Sequence, residues 1–304
     1  ARQCRDSLIE DLKSRDFTIN SLSFSLDKRS IFDPVNGFKD IQNNYLKTYQ
    51  NKNLLNDPIR ILRCFRFYSE LNFSIDIELI NFIKLNKSYL SKVASERVHY
   101  ELNRIVRGKE ALKAIQLINK LELFDWVQSY KNDSLEHLDS LSFEMLSLFE
   151  IKEFVPLFFL VETLQDVAIK KLKFSKSEIS NISQLRKWKK KLCKKSIERF
   201  SENEIFDLHK NLEHILPAFV LYLPISFHND WLRRWRNKDD NLFHPRNLID
   251  GNTLKKLTGI KDGPMLGQLL RYLSKELAFE RLNNFDDAIY QAKQWIQQNA
   301  PKCD

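Results

Sequence analysis

Hydrophobic and polar positions divide the chain near residue 50. From residue 57 onward apolar residues recur at three- and four-residue steps, the spacing of one face of a helix. Ile61, Leu62, Phe65 and Tyr68 form such a face. They follow Asp57 and Pro58, which read as an acidic N-cap and a proline at the first helical position. Further helices are predicted from Ser74 to Leu85, from Val93 to Ile105 with Ser95 as its cap, and from Gly108 to about Leu121. Residues 132–172 are amphipathic to strongly apolar and predict the core of a helical body. Residues 1–48 read differently. Thr18 can cap a short helix, Ser30 to Asp33 is a strand candidate, and Pro34, Asn36 and Gly37 supply a turn. Tyr45 to Tyr49 then reads as the returning strand. Two strands and a helix make no core unaided. The missing partners of this mixed α/β edge are expected upstream.

The polar side of the helix after Asp57 carries Arg60, Arg63 and Arg66 at three-residue spacing. Asp57 offers an acceptor-only carboxylate and Arg60 a rigid fork of donors. Held together, such a pair can read the hydrogen-bonding edge of a base, and arginines further along suit phosphate oxygens. The residues alone favour a solvated basic strip with a local ion pair. The same two readings hold for Lys170 to Arg199. There Arg186, Lys187, Lys189, Lys190, Lys191, Lys194 and Lys195 alternate with Trp188 and Leu192, as in a helix that lays lysines on a phosphate backbone. Trp231 to Arg236 is a second basic-aromatic knot. Near the end, Gly263 and Pro264 open a helix whose first amides point outward, a phosphate site that Lys255, Lys256 and Lys261 would support.

The totals narrow the picture. A chain of 304 residues with 43% hydrophobic residues can bury a core and hold more than one domain. Only 6 Gly and 8 Pro argue against an all-β fold, and a net charge of +9 suits a polyanion such as RNA. Cys4, Cys64, Cys193 and Cys303 match no disulfide or metal framework and read as reduced thiols of a cytoplasmic protein. The longest apolar stretches are too short to span a bilayer. The chain opens at Ala1 in patterned sequence without a methionine, and reads as a piece of something longer.

Asn56 to Phe67 resembles the E-D-P-x-R-x-L-R-x-x-R-F motif of bacterial tRNA nucleotidyltransferases and poly(A) polymerases of the class II CCA-adding type, with Asn56 in place of the usual acid. Arg15 to Asn20 resembles their R-R-D-F-T-x-N motif, with Ser14 for the first arginine. Asp33, Pro34, Gly37 and Asp40 resemble D-P-x-x-G-x-x-D-L, and Ala94 to Leu102 resembles A-x-E-R-x-x-x-E-L. The Gly263-Pro264 tail is also similar.

The resemblance implies a mostly α protein: the remnant of an α/β nucleotidyltransferase head (residues 1–50), a neck bearing a nucleotide-selecting helix (51–125), a helical body (126–245) and a tRNA-binding tail (246–304). It implies that Asp57 and Arg60 pair with the base edge of CTP or ATP, and that Arg63 and Arg66 face the triphosphate. Arg15 would touch phosphates or ribose, Asp16 the ribose hydroxyl, and Asn20 would brace the site; capping and turn bonding are the residues' own alternative for Asp16 and Asn20. Glu96, Arg97 and Glu101 are expected to form helix-to-helix ion pairs, and His99 to pack or lie at the surface. The family's Mg²⁺ ligands come from a D-x-D motif absent from this sequence; Asp76 and Glu78 have the spacing but sit at a helix start. The metal carboxylates would lie upstream of residue 1, so this piece alone is expected to be inactive. The implied partners are tRNA, CTP and ATP, with no membrane and no protein partner. The expected reaction is untemplated addition of C or A to the tRNA 3′ end; the brevity of the Cys4 to Asp6 stretch leans towards CC addition. A poly(A) polymerase and a non-catalytic tRNA-binding module are the alternatives.

Overall fold

A computed structural model describes residues 8–127 and 143–299. The expectations for Cys4 to Asp6, for the apolar pattern over 132–142 and for Cys303 lie outside the described residues. Two compact units result: residues up to Phe143 with Leu148–Ile182, and Glu144–Ser147 with Ser183 onward. The proposed head and neck fall in the first, and the stretch assigned to the body contributes to both.

The first unit begins with α1 (Leu8–Lys13) and a 3-10 turn at Thr18–Asn20. Thr18 does not cap that turn, because its hydroxyl donates to Asp40 Oδ2 at 2.6 Å. β1 (Ser23–Ser25) pairs antiparallel with β2 (Ser30–Phe32) through a hairpin that the sequence reading missed. Asp33 then turns the chain. Its carboxylate accepts the amides of Gly37 and Phe38, both at 2.9 Å, and starts α2 (Gly37–Gln42). A Cβ on Gly37 would lie 2.0 Å from the Thr18 carbonyl oxygen, so only glycine fits there. With α2 interposed, β3 (Tyr45–Leu46) does not return to Ser30. It pairs in parallel with β4 (Ser74–Ile75).

Between β3 and β4 lie α3 (Asn53–Asn56) and α4 (Arg60–Leu71). α4 starts at Arg60, after a tight turn in which the Asp57 carbonyl accepts the Arg60 amide at 3.0 Å. The Asp57 side chain makes no cap, since it is engaged elsewhere. Ile61, Leu62, Cys64 and Phe65 are fully buried. α5 (Ile77–Asn86) is capped by Asp76, so the Asp76–Glu78 pair does sit at a helix start, and Ser74 and Ile75 belong to the strand before it. α6 (Ser95–Ile105), which receives no side-chain cap from Ser95, and α7 (Ala111–Lys120) both pack on α4. Gly108 makes that packing close: a Cβ there would meet Ser69 Oγ at 2.0 Å. α8 (Leu148–Thr163), α9 (Asp166–Lys171) and the start of α10 (Lys176–Leu192) complete the unit.

The second unit holds α11 (Glu202–Leu212), α12 (Leu216–Val220), α13 (Ile225–Arg236), α14 (Gly251–Thr258), α15 (Pro264–Ala278) and α16 (Phe285–Asn299). Ser201 and Glu204 form a capping box at the start of α11. The basic-aromatic knot is largely structural. Trp231 is buried against His209 and Phe243, Arg233 pairs with Asp230, and Arg234 pairs with Asp240. His209 is buried in this aromatic nest, and burial pushes its pKa down to about 3. Leu254, Leu269, Leu273, Ala288 and Ala292 form a further core. Among the described residues no helix is long and apolar enough to cross a membrane.

Candidate nucleotide cleft

Arg15, Asp16, Asn20, Asp57, Arg60 and Arg63, spread over nearly fifty positions, line one cleft of about 350 Å³, with Phe67 among them. The turn Asp16–Asn20 forms one wall. Asp16 Oδ1 accepts the Phe17 amide and Asn20 Nδ2, both at 3.0 Å, and Oδ2 lies 2.7 Å from Arg63 Nε. Asp16 is 5% exposed, so this carboxylate is held by a cation and two donors in a partly dehydrated place. Turn bonding and cleft position therefore coexist in Asp16 and Asn20. Arg15 donates to the Asn20 carbonyl at 2.8 Å and to Asp11 at 3.0 Å.

α4 forms the other wall. Arg60 Nη1 donates to the carbonyls of Ser14 (2.9 Å) and Asn53 (3.0 Å), tying the first turn of α4 to the chain before Arg15. Buried Asn53 repeats the tie by donating to the Lys13 and Arg15 carbonyls. Asp57 and Arg60 are not partners of each other. Both Asp57 oxygens accept instead from Arg97 of α6, at 3.1 and 2.7 Å, and these bonds raise the Arg97 pKa.

Arg66 does not reach the cleft. It is 6% exposed and donates to both oxygens of Glu101 at 3.1 and 3.0 Å, with Glu70 beside it. Three residues on from Arg63 the helix has turned about 300°, which carries Arg66 toward α6. Burial raises the pKa of Glu101 despite the neighbouring arginines. Glu96 pairs with Lys173, and His99 packs at a tilt against Phe174. Sequence reasoning missed Phe67 and the bond from Arg97 to Asp57. Phe67 was visible only as the motif's last letter; it packs edge-on against Phe17 and lies under the guanidinium of Arg66.

Of the lysines, Lys187, Lys190 and Lys194 are exposed on one side of α10 and just beyond it, whereas Lys191 lies over the buried Trp188 and near Glu204. Lys256 and Lys261 are exposed; Lys255 pairs with Asp262 at 2.9 Å. Gly263 is exposed with φ of 152° immediately before α15.

Among the described residues no group of three or more His, Cys, Asp and Glu side chains lies together as a metal site. The deep carboxylate, Asp16, is already committed to Arg63. The cleft's two carboxylates, Asp16 and Asp57, are each paired with an arginine rather than presented together as ligands.

The family described as "Poly A polymerase head domain" matches residues 1–47, and that described as "Probable RNA and SrmB- binding site of polymerase A" matches residues 72–130. A CCA-adding enzyme of Ligilactobacillus salivarius is 30% identical over 96% of this chain and 73% of its own length. The chain belongs to the tRNA nucleotidyltransferase and poly(A) polymerase family. A CC-adding tRNA nucleotidyltransferase of Synechocystis is 27% identical over 97% of this chain and 77% of its own length. Relatives named for both specificities therefore match, which does not favour the poly(A) polymerase alternative. Among solved structures, the apo form of a CCA-adding enzyme matches with a TM-score of 0.76 at 19% identity, covering 98% of this chain and 74% of that one. The Thermotoga maritima CCA-adding enzyme complexed with tRNA matches at 0.73 and 21% identity, covering 96% and 75%. These likenesses carry the fold. Within this family member the arginine-rich face of α4 lies between the two matched segments and brings them together, through Ser14 on one side and Glu101 on the other.

Proposed function

We propose that this chain selects CTP and ATP for untemplated addition to the 3′ end of tRNA, with Asp57 and Arg60 standing in for a template base. The observation that carries the reading is the convergence of six motif residues in one cleft. Cytosine and adenine both present an exocyclic amino group beside an unprotonated ring nitrogen. A carboxylate accepts from the first and a guanidinium donates to the second. Uracil and guanine present a carbonyl where the amino group would be, and its oxygen would face Asp57 unfavourably. Arg63 and Arg15 supply positive charge for the triphosphate. Asp16 holds Arg63 and would accept from a ribose hydroxyl, with Asn20 as its brace. Arg66 acts indirectly, by fixing α4.

Lys187, Lys190 and Lys194 are proposed to lie along RNA phosphates, and Lys255, Lys256, Lys261 and Gly263 to form a second contact at the start of α15. Mg²⁺, held by carboxylates other than the described residues, and a cytoplasmic location follow from the family reading. The short Cys4 to Asp6 stretch keeps CC addition as the favoured product.

The test is binding of CTP, ATP, UTP and GTP, with Asp57→Ala and Arg60→Ala beside the parent. The parent is expected to prefer CTP and ATP, and each variant to lose that preference by about tenfold, the worth of a good base-edge contact. Unchanged selection in both variants would leave the tRNA-binding module as the better reading.

A further inference from the structure

Asp57 occupies an unusual position for a residue that must present a carboxylate in one orientation. It lies outside the regular helix, with extended backbone (φ −148°, ψ 96°) between α3 and α4. Nothing in the helical geometry aims its side chain, and its carboxylate makes no cap. The groups that hold it are Nη1 and Nη2 of Arg97, 3.1 and 2.7 Å from its two oxygens. Arg97 comes from the first turn of α6, and α6 is itself fixed to α4 by the buried pair of Arg66 and Glu101.

We infer that Arg97 is a positioning residue for nucleotide choice: its guanidinium fork fixes the plane of the Asp57 carboxylate so that the remaining lone pairs face the amino group of the entering base. The inference rests on the nucleotide reading above and adds to it the residue that makes Asp57 selective. A carboxylate has about four acceptor positions, and a bidentate arginine takes two of them. The others stay available in the same plane, at an angle set by a rigid and planar partner. Lysine in this place would keep the charge but not the plane, since its ammonium is a point charge on a flexible stem. The side chain of Arg97 is half exposed, so replacing it leaves no buried charge behind.

The experiment measures equilibrium binding of CTP and UTP to the full chain by calorimetry for the parent, Arg97→Lys, Asp57→Ala and the double variant. Circular dichroism and tRNA affinity serve as checks on folding. Arg97→Lys should retain its fold and its tRNA affinity, yet lose about tenfold in the preference for CTP over UTP, mostly through weaker CTP binding. In the Asp57→Ala background the same change should do nothing further, because Arg97 acts through Asp57. A parent that prefers CTP and an Arg97→Lys variant that prefers it equally would overturn the inference and leave the nucleotide reading standing. Tighter CTP binding by the variant would also overturn it, by showing that Arg97 obstructs the carboxylate. A parent without preference for CTP would remove the nucleotide reading and this inference together.

Discussion

Arg63 and Arg66 are one residue type three positions apart on α4, and they have opposite surroundings. Arg63 faces the cleft, while Arg66 is sealed against Glu101. The motif spacing made both visible as arginines of one helix. It could not show that a glutamate 35 residues later would claim the second, because that depends on how α6 crosses α4. Removing one member of such a buried pair strands the other charge, so Arg66→Ala should lower stability by about 3 kcal/mol in urea unfolding. Replacing both, as Arg66→Met with Glu101→Leu, should restore most of that loss. His209 makes a separate prediction. Its folded pKa of about 3 lies below the ordinary histidine value, so the unfolded chain binds the extra proton between pH 6.5 and 3. Its contribution is fully present above pH 6.5 and is lost as pH falls toward 3, by up to about 1.4 kcal/mol per pH unit. Denaturant midpoints at pH 7 and pH 5 should therefore differ, and His209→Leu should reduce the difference.

Helices were legible where apolar residues repeat at helical spacing, as Ile61, Leu62 and Phe65 do in α4. The caps read at Thr18, Asp57 and Ser95 make no capping bond, and the capping box of Ser201 and Glu204 in α11 was not read from the sequence. Strand pairing was not legible. Ser30–Phe32 and Tyr45–Leu46 are two or three residues long, too short for a pattern to choose a partner, and the choice was made by α2 lying between them. Six of the cleft's residues were readable from the motifs, whereas Arg66, read in the same way, lies outside it and Phe67 was not read as part of it. The closing bond from Arg97 was not readable, since its two ends are 40 positions apart. Close approach of α4 to the loop before α7 makes Gly108 the sensitive point of this packing. Gly108→Ala should force Ser69 away and cost about 2 kcal/mol, seen as a lower thermal midpoint.

At the scale of the whole chain, the net charge of +9 pointed to a polyanionic partner without saying where it binds. The described side chains sort the basic residues. Arg234, Lys195 and Arg271 have carboxylate partners, whereas Lys187, Lys190 and Lys194 share an exposed strip. Changing those three lysines to alanine should weaken tRNA binding and reduce the slope of log affinity against log salt by about 2 to 3. Stability should be unchanged.

Cys64 lies in α4 with no exposed surface, its thiol made harder to ionise by burial and by nearby Asp16, while Cys193 is exposed. Alkylation followed by peptide mass spectrometry should label Cys193 promptly and Cys64 only when α4 parts from its neighbours. The cysteine beneath the arginine face is thus an internal clock for the breathing of that helix. A nucleoside triphosphate that clamps Arg60 and Arg63 should slow it.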